Sequence, residues 1–198
     1  MKLIAHRRNS IAELIATPPQ YGIEVDIRSI GEQLVIHHEP FIAGEDFASW
    51  LDNYQHGTLI LNVKEEGLEQ RLLDLMNEHH IQDFFFLDQS FPFLVKWARK
   101  GERRCAVRVS EYESIETAMS LAGMVDWIWV DCFTQFPLSA EDACRLQHAN
   151  FRLCLVSPEL QGRTAVTDIL ALKALLKERG ISIDAVCTKR PESWETTF

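Results

Sequence analysis

Short apolar runs alternate with amphipathic stretches along the whole chain. The runs are rich in Val, Ile, Leu and Phe with little polar alternation, which is the pattern of strands buried on both faces of a parallel sheet. The predicted strands are Lys2–His6, Gly22–Ser29, Thr58–Lys64, Asp83–Asp88, Arg104–Val109, Trp127–Phe133, Phe151–Val156 and Asp184–Thr188. A short extra run, Gln33–His38, follows the second strand through a tight turn at Gly31.

Helical patterns lie between these runs. Ser10 and Glu13 have capping-box spacing, which predicts a helix from Ser10 toward Ala16. Apolar residues at helical spacing predict a long helix over Ala165–Arg179, and Gly180 is placed to end it. The other predicted helices are Asp46–Tyr54, Glu66–Glu78, Phe93–Lys100, Ser114–Leu121 and Ser139–His148.

This strand–helix alternation favours an α/β fold, a compact single-domain (β/α)8 TIM-type barrel that spans residues 1–198. The barrel would be small, because about 250 residues are typical of the fold. A doubly wound open sheet is the alternative, and periodicity alone does not exclude it.

Composition narrows the classes of partner. The 29 acidic and 20 basic residues give a formal net charge of −9, which argues against a nucleic-acid or anionic-membrane binder. No apolar run approaches the roughly 20 residues of a transmembrane helix. The five cysteines are scattered and free of CxxC spacing, which indicates reduced, buried thiols in a cytoplasmic protein. The oligomeric state stays open.

Polar residues cluster where the first predicted strands end. In a barrel these ends converge at one mouth, where enzymes of this architecture carry their chemistry. The clusters are His6-Arg7-Arg8, Glu24-x-Asp26, His37-His38-Glu39 and Asn62-x-Lys64.

Glu24 and Asp26 are two positions apart, so both side chains point to the same face of a strand. Two adjacent carboxylates repel each other unless a cation lies between them, and hard oxygen ligands suit Mg²⁺ or Ca²⁺. The Asn62 amide oxygen could complete such a metal site, while the Lys64 ammonium could bind phosphate. The alternative is that the two carboxylates form salt bridges with Arg28 or other neighbours on a solvated strand.

His6 and His38 are candidates for an acid/base pair, because imidazole titrates near neutral pH. His37 should point away from His38 by strand alternation. Together with Arg7 and the predicted metal ligands, the two histidines form a set that suits a phosphodiester: cations offset its charge while one histidine takes a proton and the other returns it to the leaving oxygen.

Three segments carry a family resemblance: Ala5-His6-Arg7, Gly22–Arg28 and Leu34–Pro40. Their order resembles the glycerophosphodiester phosphodiesterase family, within the phosphatidylinositol-phospholipase-C-like phosphodiesterases, whose motifs run His-Arg-Gly, Glu-x-Asp, His-Asp and Glu-x-Lys. The likeness covers the chain as far as Lys64 and returns at Asp184–Pro191. Between these parts only the strand–helix rhythm matches.

The resemblance implies a β/α barrel, a divalent cation (Mg²⁺ or Ca²⁺), and hydrolysis of a small-molecule phosphodiester to an alcohol and a phosphomonoester. It implies that His6 and His38 are catalytic. It implies that Arg7 and Lys64 bind the phosphate and that Glu24 and Asp26 bind the metal ion.

Three departures from the family pattern affect the predicted site. Arg8 replaces a glycine, which crowds the mouth or adds a cation, and Glu39 replaces an aspartate. Asn62 replaces the third carboxylate ligand, and losing that charge should weaken the hold on a hard cation. The helical insertion of many relatives is also missing after His38, which should leave the pocket more open.

The main hypothesis is therefore a metal-dependent phosphodiesterase. A non-catalytic or altered relative that binds a phosphorylated sugar, a lipid headgroup or a protein partner is the second hypothesis, motivated by Asn62. A Schiff-base lyase built on Lys64 is a third, although no flanking residue resembles such enzymes.

Overall fold

Strands and α-helices alternate along residues 1–195, the part of the chain that the computed structural model describes; residues 196–198 of the predicted domain lie outside it. The strands are β1 Lys2–Ala5, β2 Gly22–Ile30, β3 Gln33–Ile36, β4 Glu45–Asp46, β5 Leu59–Val63, β6 Phe84–Leu87, β7 Ala106–Val109, β8 Trp127–Val130, β9 Arg152–Val156 and β10 Ala185–Thr188. The α-helices are α1 Ile11–Ala16, α2 Phe47–Leu51, α3 Glu69–Glu78, α4 Phe91–Arg99, α5 Ile115–Met119, α6 Ala140–His148, α7 Val166–Glu178 and α8 Glu192–Glu195.

Eight of these strands form a curled parallel sheet. β1 lies between β2 and β10, β5 and β6 extend the sheet beyond β2, and β9, β8 and β7 extend it beyond β10. Neighbours along the chain are thus neighbours in the sheet, unlike the strand order of a doubly wound fold. The short β3 and β4 pair antiparallel on the β2 side.

The two ends of the curled sheet, β6 and β7, meet at an isolated bridge between Phe86 and Cys105. The Phe86 N–H donates to the Arg104 carbonyl over 2.8 Å at this seam, whereas the other seams are ladders of two to five paired residues. The mixed α/β fold predicted from the sequence is confirmed. The fully closed TIM barrel is not.

Local signals in the sequence set the helix ends. The Ser10 hydroxyl accepts from the Glu13 N–H over 3.2 Å, which is the N-cap bond of the predicted capping box. The Glu13 carboxylate accepts from the Ser10 hydroxyl over 3.0 Å instead of from its backbone N–H. Gly180 ends α7 with φ +64°, a left-handed conformation that glycine adopts without strain. The α4 helix begins earlier than predicted, at Phe91, because Pro92 suits the first helical turn.

Two layers of apolar side chains hold the sheet. One lies between the sheet and the helices. The other fills the inside of the curl with alternate residues of every parallel strand except β2, and it includes a stacked pair, Phe85 and Trp127, with ring centroids 4.5 Å apart. The inner residues are Ile4, Ile60, Phe85, Leu87, Ala106, Trp127, Trp129, Cys154, Val156, Ala185 and Cys187. Strand side chains alternate between the two faces, so a residue two positions after an inner residue also points inward. At the carboxyl ends of the strands such residues point into the mouth of the curled sheet.

Between β3 and β5 the chain contains only β4 and the five-residue α2, so the helical insertion is absent, as predicted. Four of the five cysteines are buried and Cys144 is exposed; all are free thiols. Within residues 1–195, no helix has the length and apolar character needed to cross a bilayer.

Candidate functional site

The polar residues predicted at the ends of the first strands lie together at the carboxyl end of the curled sheet. Asp26 on β2 is the register partner of Asn62 on β5, and Glu24 lies two positions before Asp26 on the same face. Both carboxylates are fully buried, so neither lies on a solvated strand surface. Their ion-pair partners are His6, Arg7 and Lys64, which are partly exposed, and Arg28 instead pairs with Glu65 at 3.6 Å.

Glu24 accepts two hydrogen bonds. The Asn62 side-chain amide donates to Oε1 over 2.8 Å, and the Arg7 backbone N–H donates to Oε2 over 2.8 Å. Burial raises the pKa of Glu24 above its ordinary value, and the neighbouring Asp26 carboxylate raises it further. Arg7 reaches Glu24 because its backbone has φ +51°, a left-handed conformation that is uncommon for residues other than glycine.

Asp26 lies between two cations and an amide. Lys64 Nζ is 3.2 Å from Oδ1, and Arg7 Nε is 3.4 Å from Oδ2. The Asn9 side chain donates to Oδ2 over 2.8 Å and accepts from the Asp26 N–H over 3.1 Å. Asn9 therefore fixes both the backbone and the carboxylate of Asp26. Lys64 also lies 3.3 Å from Asp88.

His6 lies beside the carboxylates, with Nε2 at 3.8 Å from Glu24 Oε2. Its Nδ1 is buried and makes no hydrogen bond with the described residues. Burial lowers the pKa of His6 to about 3, and the Arg7 charge is the second cause. The imidazole is therefore neutral at physiological pH, which is the form that can accept a proton.

Because folded His6 is neutral, we expect the free energy of unfolding to fall as the pH is lowered. The unfolded chain binds a proton near pH 6.5, the ordinary pKa, whereas folded His6 binds one only near pH 3. From pH 6.5 downward this group should therefore remove up to about 1.4 kcal/mol of unfolding free energy per pH unit. We expect the stability of the wild type relative to His6→Gln, measured by urea unfolding, to fall between pH 7 and pH 4. A difference that stays constant over this range would contradict the assignment.

His38 follows β3 at the edge of the site, where the neighbouring His37 N–H donates to the Asp26 carbonyl over 3.0 Å. The Arg28 guanidinium donates two hydrogen bonds, of 3.1 and 2.8 Å, to the His38 carbonyl. His38 Nδ1 is 2.7 Å from Glu39 Oε1. The hydrogen bond with His38 lowers the pKa of Glu39, so an ionised carboxylate accepts from Nδ1–H and leaves Nε2 to exchange protons.

Arg8 has contacts of a different kind from its neighbour Arg7. Its guanidinium donates to Thr17 Oγ1 over 2.9 Å and to the His6 carbonyl over 3.1 Å. The side chain thus connects the end of β1 to the end of α1, and its described contacts are structural.

Further polar residues extend the site, and two of them, Asp88 and Arg108, were not predicted from the sequence. Asp88 follows β6 and contacts both Lys64 and Arg108 of β7. Arg108 Nη1 also lies 3.4 Å from Asp131, which follows β8, and Gln161 donates to Asp131 over 2.6 Å. The strand periodicity could have revealed Arg108, because it lies two positions after the inward-facing Ala106.

A cavity of about 640 Å³ lies beside this second group of charges, between β6 and β7. Asp88 and Arg108 line it together with Phe91 and Tyr112, whose side chains are both exposed. It therefore combines charged groups with aromatic surfaces, and its lining residue Asp88 connects it to Lys64.

The side chains of the predicted metal site do not fit a divalent cation as they are arranged. Within residues 1–195, no three residues of the types His, Cys, Asp and Glu are grouped so that they could hold a metal ion. Glu24 is hydrogen-bonded through both oxygens, and Asp26 faces Arg7, Lys64 and Asn9. The divalent cation stays a prediction from the sequence.

Three solved structures that share this architecture are described as glycerophosphodiester or glycerophosphoryl diester phosphodiesterases. A glycerophosphodiester phosphodiesterase from Agrobacterium tumefaciens str. C58 matches with a TM-score of 0.66 over 98% of this chain and 98% of its own, at 11% identity. A glycerophosphoryl diester phosphodiesterase from Parabacteroides distasonis ATCC 8503 matches with a TM-score of 0.65 over 97% and 84%, at 10% identity. The fold is that of the glycerophosphodiester phosphodiesterases.

A second Agrobacterium tumefaciens protein, provisionally assigned as a glycerophosphoryl diester phosphodiesterase, has a TM-score of 0.66 over 97% of this chain and 94% of its own, at 14% identity. No protein-family model matches the sequence, and no curated protein matches it significantly. The resemblance noted in the sequence motifs is therefore confirmed at the level of the fold, and it extends over nearly the whole chain. The cluster around Asp26 lies at the carboxyl ends of the strands of this phosphodiesterase fold.

Proposed function

We propose that this chain hydrolyses a small-molecule phosphodiester at the carboxyl end of its curled sheet. The observation that carries the proposal is the convergence of His6, Arg7, Asp26 and Lys64 at consecutive strand ends of a phosphodiesterase fold. A histidine beside two cations is the arrangement that phosphodiester cleavage needs, since the reacting group is an anion and protons must move.

Arg7 and Lys64 are proposed to bind the phosphate. Both are anchored on the buried Asp26 carboxylate, so their positions are fixed before substrate arrives. Fixed cations stabilise the charge that develops on the phosphate oxygens without reorganising during the reaction. The cavity between β6 and β7 offers space for the alcohol part of the substrate.

The two histidines are proposed to move the protons. Neutral His6 takes the proton of the attacking hydroxyl or water as a new P–O bond forms. In this step His38 begins with a proton on Nε2 as well as on Nδ1, and its ring is oriented by Glu39. It gives the Nε2 proton to the alcohol oxygen as the old P–O bond breaks. The products are an alcohol and a phosphomonoester, or a cyclic phosphate if the attacking hydroxyl belongs to the substrate.

The resemblance implies Mg²⁺ or Ca²⁺ on Glu24 and Asp26, with the Asn62 side chain in the place of a third carboxylate ligand. Such an ion would supply additional positive charge to the phosphate. The steps above use only the chain's own residues.

The direct test is turnover of a panel of glycerol-, sugar- and lipid-linked phosphodiesters, followed by the phosphorus NMR signal of the phosphomonoester. Each substrate is assayed with Mg²⁺, with Ca²⁺ and with EDTA. We expect at least one substrate to be cleaved. If none is cleaved under any of the three conditions, the proposed hydrolysis is wrong.

A second function, phosphate binding without catalysis, is favoured by one observation. Asn62 occupies the position of a carboxylate in the family motif, and its amide is hydrogen-bonded to Glu24. A protein of this kind would bind the phosphomonoester products in the assay above and cleave none of the phosphodiesters.

A further inference from the structure

The buried carboxylates of the site are already contacted by donors and cations of the chain itself. Glu24 accepts from Asn62 and from the Arg7 backbone, while Asp26 lies against the Arg7 and Lys64 side chains. A divalent ion would have to displace these donors and would gain only two charged ligands. Hard cations in proteins are held more tightly by sites with a higher ligand charge.

The orientation of the Asn62 amide is decisive for this arrangement. Its nitrogen donates to Glu24 Oε1 over 2.8 Å, and its oxygen is buried with no hydrogen bond to the described residues. The opposite orientation would bring two oxygens together at that distance, which is favourable only with a cation between them. A glutamate at this position would have no amide nitrogen, so its oxygens would repel Glu24 unless a cation were bound.

Lys64 occupies the position of a bridging cation. Its Nζ lies 3.2 Å from Asp26 and 3.3 Å from Asp88, on the two sides of β5. An ammonium group has three N–H donors, so one remains for a phosphate oxygen after two carboxylates are contacted. Arg7 contributes a second cation, and its side chain is 40% exposed and accessible to an incoming anion.

Cations of the chain already lie against the carboxylates around Lys64. Asp26 lies against Arg7 and Lys64, and Asp88 contacts Lys64 and Arg108, which also lies 3.4 Å from Asp131. An anion that binds Lys64 and Arg7 therefore meets two cations that belong to the chain itself. In the family pattern, by contrast, a third carboxylate would leave an excess of negative charge for a metal ion to offset.

We propose that Lys64, together with Arg7, is the built-in cation of this site, so that a phosphate group binds there without a divalent metal ion. This inference takes one thing from the proposed function, namely that the ligand contains a phosphate group. It concerns binding, and it can be tested apart from hydrolysis.

The first experiment titrates inorganic phosphate into the protein in EDTA by calorimetry. We expect binding in the wild type, and an affinity lower by about tenfold or more in Lys64→Met, because a charge-assisted hydrogen bond is lost. Lys96→Met is the matched control, since Lys96 lies on the exposed side of α4 and should leave the affinity unchanged. Circular dichroism confirms that each variant is folded, and Lys64→Arg should retain binding.

The second experiment titrates Ca²⁺ and Mg²⁺ into the wild type, Asn62→Glu and Asn62→Gln. We expect binding only in Asn62→Glu, because a third carboxylate restores the ligand charge and removes the amide donor. A Kd of about 1 mM is the weak end of protein calcium sites. The inference is overturned if the wild type binds either ion more tightly than this and Asp26→Asn abolishes that binding. Phosphate binding that requires added Ca²⁺ or Mg²⁺ would also overturn it.

Turnover separates the two proposals. If phosphate binds in EDTA and no phosphodiester is cleaved, the proposed hydrolysis fails and the built-in cation stands. If cleavage is observed only with an added divalent ion, the hydrolysis stands and the built-in cation is wrong.

Discussion

Replacing His6 by alanine should lower the turnover of a cleavable phosphodiester by about 10²–10⁴-fold, the range for loss of a general base. His6 lies at the strand ends beside Arg7, with Nε2 at 3.8 Å from Glu24, and the alanine variant has no imidazole to take the proton. The rate constant kcat measured at saturating substrate gives the size of the effect. His38→Ala should lower kcat as well, because it removes the proposed acid.

His148→Ala is the control for this substitution. His148 is an exposed residue at the end of α6, far along the chain from the strand ends of the site. Its loss should leave kcat unchanged. A His6→Ala protein that is folded and retains wild-type turnover would refute the catalytic role of His6.

Replacing Asp26 by asparagine should lower the free energy of unfolding by about 3 kcal/mol, the low end of the range for breaking a buried ion pair. The buried carboxylate holds Lys64 and Arg7 and accepts a hydrogen bond from Asn9. The low end applies because Lys64 keeps its contact with Asp88 and because the Arg7 side chain is partly solvated. Urea unfolding at neutral pH measures the change.

Whether Asp26→Asn lowers or raises the free energy of unfolding shows which is stronger, the attraction of the carboxylates to their cations or the repulsion between Glu24 and Asp26. If repulsion between Glu24 and Asp26 were stronger than the attraction of their cations, Asp26→Asn would make the protein more stable. Asp52→Asn is the matched control, because Asp52 is exposed at the end of α2, and its change should stay within about 0.5 kcal/mol. A gain in stability in Asp26→Asn would contradict the ion-pair account.

The sequence predicted the cluster because its members follow adjacent strands. β1, β2 and β5 are neighbours in the sheet, so residues at their carboxyl ends must approach one another. The alternation of side chains along each strand then placed Glu24 and Asp26 on one face. This part of the site depends only on strand order and periodicity, which short apolar runs make visible.

Other contacts depend on loop conformation, which apolar periodicity does not encode. Asn9 reaches Asp26 because the chain after β1 turns at Arg7 with a positive φ. The same turn directs Arg8 toward Thr17. Asp88, which contacts Lys64, also has a positive φ, of 59°. These local turns were not predictable from the pattern of apolar and polar residues.

The closure of the sheet depends on still longer-range geometry. Strand count and alternation predicted a barrel, but hydrogen bonding between β6 and β7 requires the accumulated twist of all the strands to bring their backbones into register. That register is reached only at Phe86 and Cys105.

The curled sheet consists of two arcs of four parallel strands, which meet at this seam through a single bridge. The first arc contains β1, β2, β5 and β6, and the second contains β7, β8, β9 and β10. On the opposite side the arcs are joined by four paired positions between β1 and β10. Backbone pairing between the two arcs is therefore concentrated on the side of β1 and β10. The buried carboxylates and Lys64 belong to the first arc, whereas Arg108 and Asp131 belong to the second. Any opening at the seam would thus stretch the contact between Asp88 and Arg108 and leave the anchorage of Lys64 on Asp26 undisturbed.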